Sequence, residues 1–300
     1  MKKFFALLLA LLLVCSLVAC KKDETNDDDD FDMTVASNDK FFDTGGAYND
    51  CYQYEIINGN EVAIIGFKSS YTPHEITVPA EIEKCPVVKI EDAAFYQCSQ
   101  ITVVNIPATV TEIGDMAFAG CVQMTAVKFA EGADNLTAIG DYAFSSCAKL
   151  SAISLPASLL TLGEGAFLQC AKLTSIALPE VVRDGETVTA GITAIKPMTF
   201  MGCKELAAVT GGTQITAIGD FAFCGTALTA YTVPATVSSV GANAFALCNT
   251  LATMTFVNAT GWSYQEDPAD KTLTGVDVSD AAMIAYLLRT DYASYVLVRA

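Results

Sequence analysis

Apolar residues recur in this chain with a period in the low twenties, superimposed on shorter strand-like alternation. The unit reads Ile-x-x-Ile-Gly-x-x-Ala-Phe-x-x-Cys-x-x-Leu-x-x-Ile-x-Leu-Pro, and its clearest copy runs from Leu159 to Pro179. Further copies begin near Val87, Val110, Leu136, Ile192, Ile215 and Val237. Seven phenylalanines mark the register: Phe95, Phe118, Phe144, Phe167, Phe200, Phe223 and Phe245, with gaps of 23, 26, 23, 33, 23 and 22 residues. Six have a cysteine three positions later: Cys98, Cys121, Cys147, Cys170, Cys203 and Cys248. Around Phe223 the unit reads one residue short, and Cys224 follows the ring directly. A fixed period of this length predicts a repeat solenoid, because one unit cannot bury its own apolar face and must stack on its neighbours.

Each position in the unit has a physical task. In Leu150-Ser151-Ala152-Ile153-Ser154-Leu155 the last two apolar residues alternate as in a strand, so Ile153 and Leu155 are expected to point inward, and Pro156 to end the strand. Gly163 is expected to serve a turn that a Cβ would strain. Ala166 permits close approach, Phe167 fills the space between coils, and Cys170 is a small buried side chain with a weak S–H donor. Corresponding positions in successive coils then lie about 4.8 Å apart across a parallel sheet.

Two insertions and one irregular copy interrupt the pattern. Ala130 to Asn135 lengthens one turn, and Glu180 to Gly191 adds a segment around Asp184-Gly185 that reads as a protruding hairpin. In Ile195-Lys196-Pro197-Met198-Thr199-Phe200, Lys and Thr replace the usual Gly and Ala, which predicts an irregular coil. A cap is needed at each end, or an apolar face and a strand edge stay open to water. Residues 48–86 read as the N-terminal β cap, with a hairpin turn at Asn58-Gly59-Asn60. Residues 257–300 read as the C-terminal cap: a helix capped by Ser279, with Asp280 in its first turn and an apolar face of Met283, Leu287 and Leu288, then a last strand from Tyr295 to Val298.

The unit in residues 87–256, seven copies in all, resembles the BspA-like family of bacterial leucine-rich repeats, and the Tyr-rich early hairpin and the tail with Trp262 are also similar to that family. The resemblance covers roughly residues 48–300. It implies a leucine-rich-repeat-like solenoid: parallel β-sheet with short helical or turn return segments, capped at both ends. It further implies a surface role in adhesion and in protein or glycan contact, without catalysis.

The first twenty residues, MKKFFALLLALLLVCSLVAC, combine a basic start with a short apolar run, the pattern of a secretory signal over residues 1–19. Its end resembles a bacterial lipobox, which implies cleavage before Cys20 and lipidation of that sulfur; attachment to a membrane is expected through this anchor only. Residues 20–47 are acid-rich and aperiodic and read as an extended tether. The acidic run beside the lipidated cysteine resembles the surface-export signals of Bacteroidota lipoproteins and implies an outer-membrane, outward-facing location. The formal charge of −17 argues against nucleic acid as a partner.

Little in the sequence speaks for reaction chemistry. Of eleven cysteines, Cys15 leaves with the signal and Cys20 is the anchor. Seven are spaced by whole repeats, which makes a ladder rather than a converging metal site. The remaining two, Cys51 and Cys85 in the N-terminal cap, are the candidate disulfide pair. His74, the single histidine, has no nucleophile motif beside it, and Asp27 to Asp30 do not follow the order of a calcium loop. No catalytic residue, metal or cofactor is expected. The candidate contact surface is the outward side of the strands: Thr102, Val103, Asn105; Thr125, Ala126, Lys128; Ser151, Ala152, Ser154; Thr174, Ser175, Ala177; Ala207, Ala208, Thr210; Thr229, Ala230, Thr232; Ala252, Thr253, Thr255. These side chains are small and almost uncharged, and they lack the Trp, Tyr and Arg anchors common at interface hot spots. The Arg183–Glu186 hairpin and the aromatic pair Trp262 and Tyr264 are rival contact points. The expected function is a cell-surface lipoprotein whose solenoid binds a host or bacterial surface protein; a glycan-capture subunit for nutrient uptake and a structural envelope spacer are the alternatives.

Overall fold

The computed structural model describes residues 51–68, 73–132, 135–180, 183–184, 187–188, 191–265, 274–290 and 294–299. The signal segment, Cys20 and the tether lie outside them, as does Gly185 of the inserted turn.

Each repeat makes one coil of a parallel β-solenoid of about eight turns. A coil carries a short first strand, a sharp turn around the phenylalanine, and a second strand. The first strands Cys85–Ile90, Glu112–Ile113, Ala138–Ile139 and Thr161–Leu162 pair in parallel, as do Ala194–Ile195, Ala217–Ile218 and Ser239–Val240. The second strands form three ladders: Glu75–Thr77 through Val103–Ile106 and Ala126–Phe129 to Ala152–Ile153; Ser175–Leu178 with Ala208–Gly211; and Ala230–Val233 with Thr253–Phe256. Inward residues of both strands and all seven phenylalanines are buried in one continuous apolar core. Ile153 is buried as expected, whereas Leu155 is only partly so.

The phenylalanine turns are as regular as the strands. The Phe95, Phe118, Phe144, Phe167, Phe200 and Phe223 amides each donate to a carbonyl of the next coil, at 2.7 to 2.9 Å. The rings stack at centroid separations of 5.1 to 5.8 Å, with planes within 21° of parallel from Phe95 to Phe245. Residues two before and two after each ring take left-handed φ, for example Tyr142 (58°) and Ser146 (59°) around Phe144. That paired twist is what folds the chain sharply around each ring. Gly163 is not one of those positions. Its requirement is close approach: a Cβ there would lie 2.2 Å from the Gly140 carbonyl oxygen of the preceding coil.

The copy at Lys196-Pro197 is irregular in its first strand. Thr161–Leu162 and Ala194–Ile195 are not joined in one sheet, so the first-strand ladder breaks there. The rings nevertheless continue, with Phe167 and Phe200 5.8 Å apart and 3° from parallel. Thr199, standing in for the usual alanine, is fully buried, and its hydroxyl donates to the Lys196 carbonyl at 2.7 Å. The insertion forms the expected hairpin, with Arg183 opposite Val188 and Asp184 opposite Thr187.

The N-terminal hairpin Tyr52–Ile57 and Glu61–Phe67 turns at Asn58-Gly59, both with positive φ, and pairs in parallel with Cys85–Ile90. Tyr52 and Phe67 prolong the ring column beyond Phe95. Glu75–Thr77 already belongs to a repeat ladder, so the segment 48–86 is cap and first coil together. The candidate pair Cys51 and Cys85 is half-buried in this cap. The Cys85 thiol, at the end of a tight hairpin with Glu81–Ile82, lies 3.8 Å from the Glu83 carbonyl. At the other end Val296–Arg299 runs antiparallel between Ser239–Val240 and Trp262–Gln265, and Thr274–Gly275 pairs with the latter at the edge of the sheet. The helix Ala281–Arg289 starts one residue later than the sequence indicates. Asp280, not Ser279, is its cap and accepts the Ala282 and Met283 amides. Its buried residues are Ile284, Ala285 and Leu288, so of the expected face only Leu288 is fully buried, while Leu287 is partly buried and Met283 exposed.

Truncating a ring removes packing on two neighbours at once. Phe144→Ala is expected to lower the unfolding free energy by about 3–5 kcal/mol in urea denaturation. A loss below about 1 kcal/mol would contradict a packed column.

Candidate interaction face

The strand register places the candidate residues in columns along the solenoid. Thr77, Asn105 and Lys128 occupy one column, Ala177 and Thr210 continue it, and Thr232 and Thr255 close it. Lys128, Ser154, Ala177, Thr210, Thr232 and Thr255 are exposed. In the column ahead of it, Ser175 and Thr253 are exposed and uncharged.

The hydroxyls at the start of the strands are engaged within the fold. Thr102 donates to His74 O at 2.8 Å, Thr125 to Thr102 O at 3.0 Å and Thr174 to Ser151 O at 3.4 Å. Asn105 likewise spends its amide on Glu75 Oε1, Ile76 O and Thr77 Oγ1, at 3.0 to 3.3 Å. Ser151 and Thr229 are exposed beside them. The structure thus divides the candidate face into a self-satisfied margin and an outward panel of small side chains.

At the N-terminal end of this panel lies a cleft of about 940 Å³. Its floor is formed by the ends of three successive strands, with Asn105, Pro107, Lys128 and Phe129 among its residues, and the hairpin carrying Glu81, Glu83 and Lys84 overhangs it. Phe129 is only partly buried. Tyr54 donates to Glu83 Oε1 at 2.8 Å and tethers the overhang to the cap. No short motif signals this cleft, because its walls come from separate coils.

The thiols are structural. Cys121, Cys147, Cys170, Cys203 and Cys248 donate to the carbonyls of Phe95, Phe118, Phe144, Phe167 and Phe223 in the preceding coil, at 3.0 to 3.3 Å. At Phe223 the rung is taken by Thr226, whose hydroxyl is 3.2 Å from Cys248 Sγ. The shortening there therefore falls after the rung, between Thr226 and Leu228, not at the cysteine position. Burial pushes Cys147 and Cys203 up to about 12 and Cys170 well above the ordinary thiol value, the reverse of an activated nucleophile. His74 Nδ1 lies 3.1 Å from Gln100 O. Among the described residues no group of three or more His, Cys, Asp or Glu side chains could hold a metal ion.

A second ladder escaped the sequence reading. Asp92, Asp115, Asp141 and Asp220 each accept the backbone amide at the matching position of the next coil, at 2.7 to 2.8 Å. The repeated Gly-Asp in Gly114-Asp115, Gly140-Asp141 and Gly219-Asp220 was the available signal. The ladder stops at Pro197, which has no N–H to offer. Glu164 there accepts the Tyr142 hydroxyl instead, and Lys196 Nζ reaches Asp141 Oδ1 at 3.4 Å.

Stacked coils with parallel strands, a buried ring column and a buried polar ladder define a leucine-rich-repeat solenoid. The family model described as "BspA type Leucine rich repeat region" matches residues 88–187 and 186–264 in six copies, and the chain belongs to this family. A leucine rich cell surface protein from Faecalibacterium prausnitzii is similar in structure, with a TM-score of 0.61 and 30% identity, covering 73% of this chain and 57% of that one. The chain therefore spans little more than half of that protein's structure. A leucine-rich repeat protein of T. pallidum aligns at 22% identity and a TM-score of 0.47, over 67% of this chain and 87% of that one. One from Bacteroides ovatus aligns at 22% identity and a TM-score of 0.39, over 70% of each chain. Comparison with curated proteins returned no match.

The raised thiol pKa values set a pH dependence. In the unfolded chain these thiols ionise near 9, whereas Cys147 and Cys203 stay protonated to about 12 when folded. Their stabilising contribution is complete below about pH 9 and is lost as pH rises from there to about 12. Urea midpoints should fall across that window, and less steeply in Cys147→Val; equal slopes in the two proteins would contradict the assignment.

Proposed function

We propose that this chain is an exported, lipid-anchored surface protein whose solenoid acts as a protein-binding module without catalysis. Supporting this, the strand face between the two caps presents exposed, small and nearly uncharged side chains over several coils. Such a surface lets a partner approach the backbone closely at low desolvation cost. A similar protein is described as a cell surface protein. Cys20 as lipid anchor and residues 21–47 as tether would hold the face away from the membrane, with the acidic run serving outward export. The partner is a protein on a host or bacterial surface.

The purified full chain, incubated with host-matrix proteins and with a glycan array, tests this reading. Saturable protein binding that is lost when Thr210→Glu and Thr232→Glu are combined is the expected result. Binding to glycans alone would replace the reading with glycan capture, and binding to neither would favour a spacer.

A further inference from the structure

The cleft beneath the Glu81–Pro86 hairpin combines features that the rest of the strand face lacks. Its floor is largely apolar: Val78, Ile106, Pro79, Pro107 and the partly buried Phe129 contribute to it. Lys128 is the one charged side chain in its column of the face, where the following coils carry Ser154, Ala177, Thr210, Thr232 and Thr255. Lys128 and Lys84 both line the cleft, and neither has an ion-pair partner among the described residues, whereas Lys89, Lys172 and Lys196 all do. Lys149 and Lys204 also lack an ion pair among the described residues, but neither lines this cleft, which Lys84 and Lys128 share with Glu81 and Glu83.

The overhanging turn adds an independent observation. Glu83 and Lys84 both take left-handed φ, 53° and 68°. Consecutive left-handed positions in a two-residue hairpin turn favour Asn-Gly, and this chain uses Asn58-Gly59 where its cap hairpin turns. At the cleft it accepts a Glu-Lys pair that disfavours the turn, and the Tyr54 hydroxyl holds that turn through Glu83.

We propose that this cleft seats an extended peptide segment of the partner protein, with an apolar side chain on Phe129 and Pro107 and an adjacent carboxylate side chain on Lys128 and Lys84. A glycan fits less well, because the Asn105 amide is already committed to Glu75, Ile76 and Thr77 and is not free to read hydroxyls. Glu81, on the hairpin, sets the polarity: the acidic residue of the bound segment meets Lys128, not the base of the overhang. The proposal rests on the reading of the chain as a protein-binding module and gives it a specific contact.

The test uses the purified full chain and two fluorescein-labelled hexapeptides, one alternating glutamate with phenylalanine and one alternating lysine with phenylalanine, followed by anisotropy. The glutamate peptide should bind at least about tenfold more tightly, and Lys128→Glu should remove that preference. Combining Glu83→Asn with Lys84→Gly should raise the urea midpoint while weakening the glutamate peptide several-fold, which separates lost contact from lost folding. Equal binding of the two peptides, an unchanged preference in Lys128→Glu, or displacement of the peptide by oligogalacturonate at lower concentration than by unlabelled peptide would each overturn the proposal. Matrix-protein binding that survives Lys128→Glu would overturn the cleft while leaving the module reading intact. Failure of the unmodified chain to bind any protein would remove both.

Discussion

The structure depends on one contact repeated along its axis: a phenylalanine ring stacked on the ring of the next coil, in a turn whose backbone is hydrogen-bonded to the same turn one coil on. The ring is the largest buried side chain at each level. The carbonyl of its own residue accepts the amide three residues on, as Phe118 does from Cys121 and Phe144 from Cys147, both at 3.2 Å. The thiol three residues after the next ring adds a second donor to that oxygen, as Cys147 does for Phe118 and Cys170 for Phe144. Phenylalanine and cysteine recur together because the thiol ties the backbone at each ring to the coil that follows. Where the cysteine is missing, Thr226 stands at that position, its hydroxyl 3.2 Å from Cys248 Sγ.

This logic explains what the sequence disclosed. Fold, coil period, caps and inserted hairpin were legible, because each follows from apolar spacing or turn chemistry that a single unit already displays. Relations between units were less legible. Gly163 looks like a turn glycine in isolation, and only the neighbouring coil shows that its missing Cβ makes room for the Gly140 carbonyl. The aspartate ladder is invisible within one repeat, since its acceptor and donor lie 22 to 26 residues apart. The helix cap was misplaced by one residue because Ser279 and Asp280 are both good caps, and the local turn through Asp277 decided between them by taking the Ser279 amide.

The candidate face was legible as a set of outward positions but not as a surface with parts. Alternation identifies which residues leave the core; it does not tell which hydroxyls return to the backbone. Thr102, Thr125 and Thr174 are held by the coil before them, whereas Thr210, Thr232 and Thr255 stand outward. The same division applies to charge. Four aspartates on the surface serve the coil-to-coil bonding, three lysines are ion-paired, and Lys84 and Lys128, which are not, both line the cleft at the N-terminal end.

Hydrogen exchange of the phenylalanine-turn amides tests this account most directly. If the stacked turns are the spine, the amides of Phe118, Phe144 and Phe167, each bonded to the following coil at 2.8 to 2.9 Å, exchange among the slowest in the protein and at matched rates. They stay protected through the Lys196-Pro197 coil, where the first-strand ladder is broken. Fast exchange at these turns beside slow exchange in the strands would show that the sheets, not the ring column, hold the coils together.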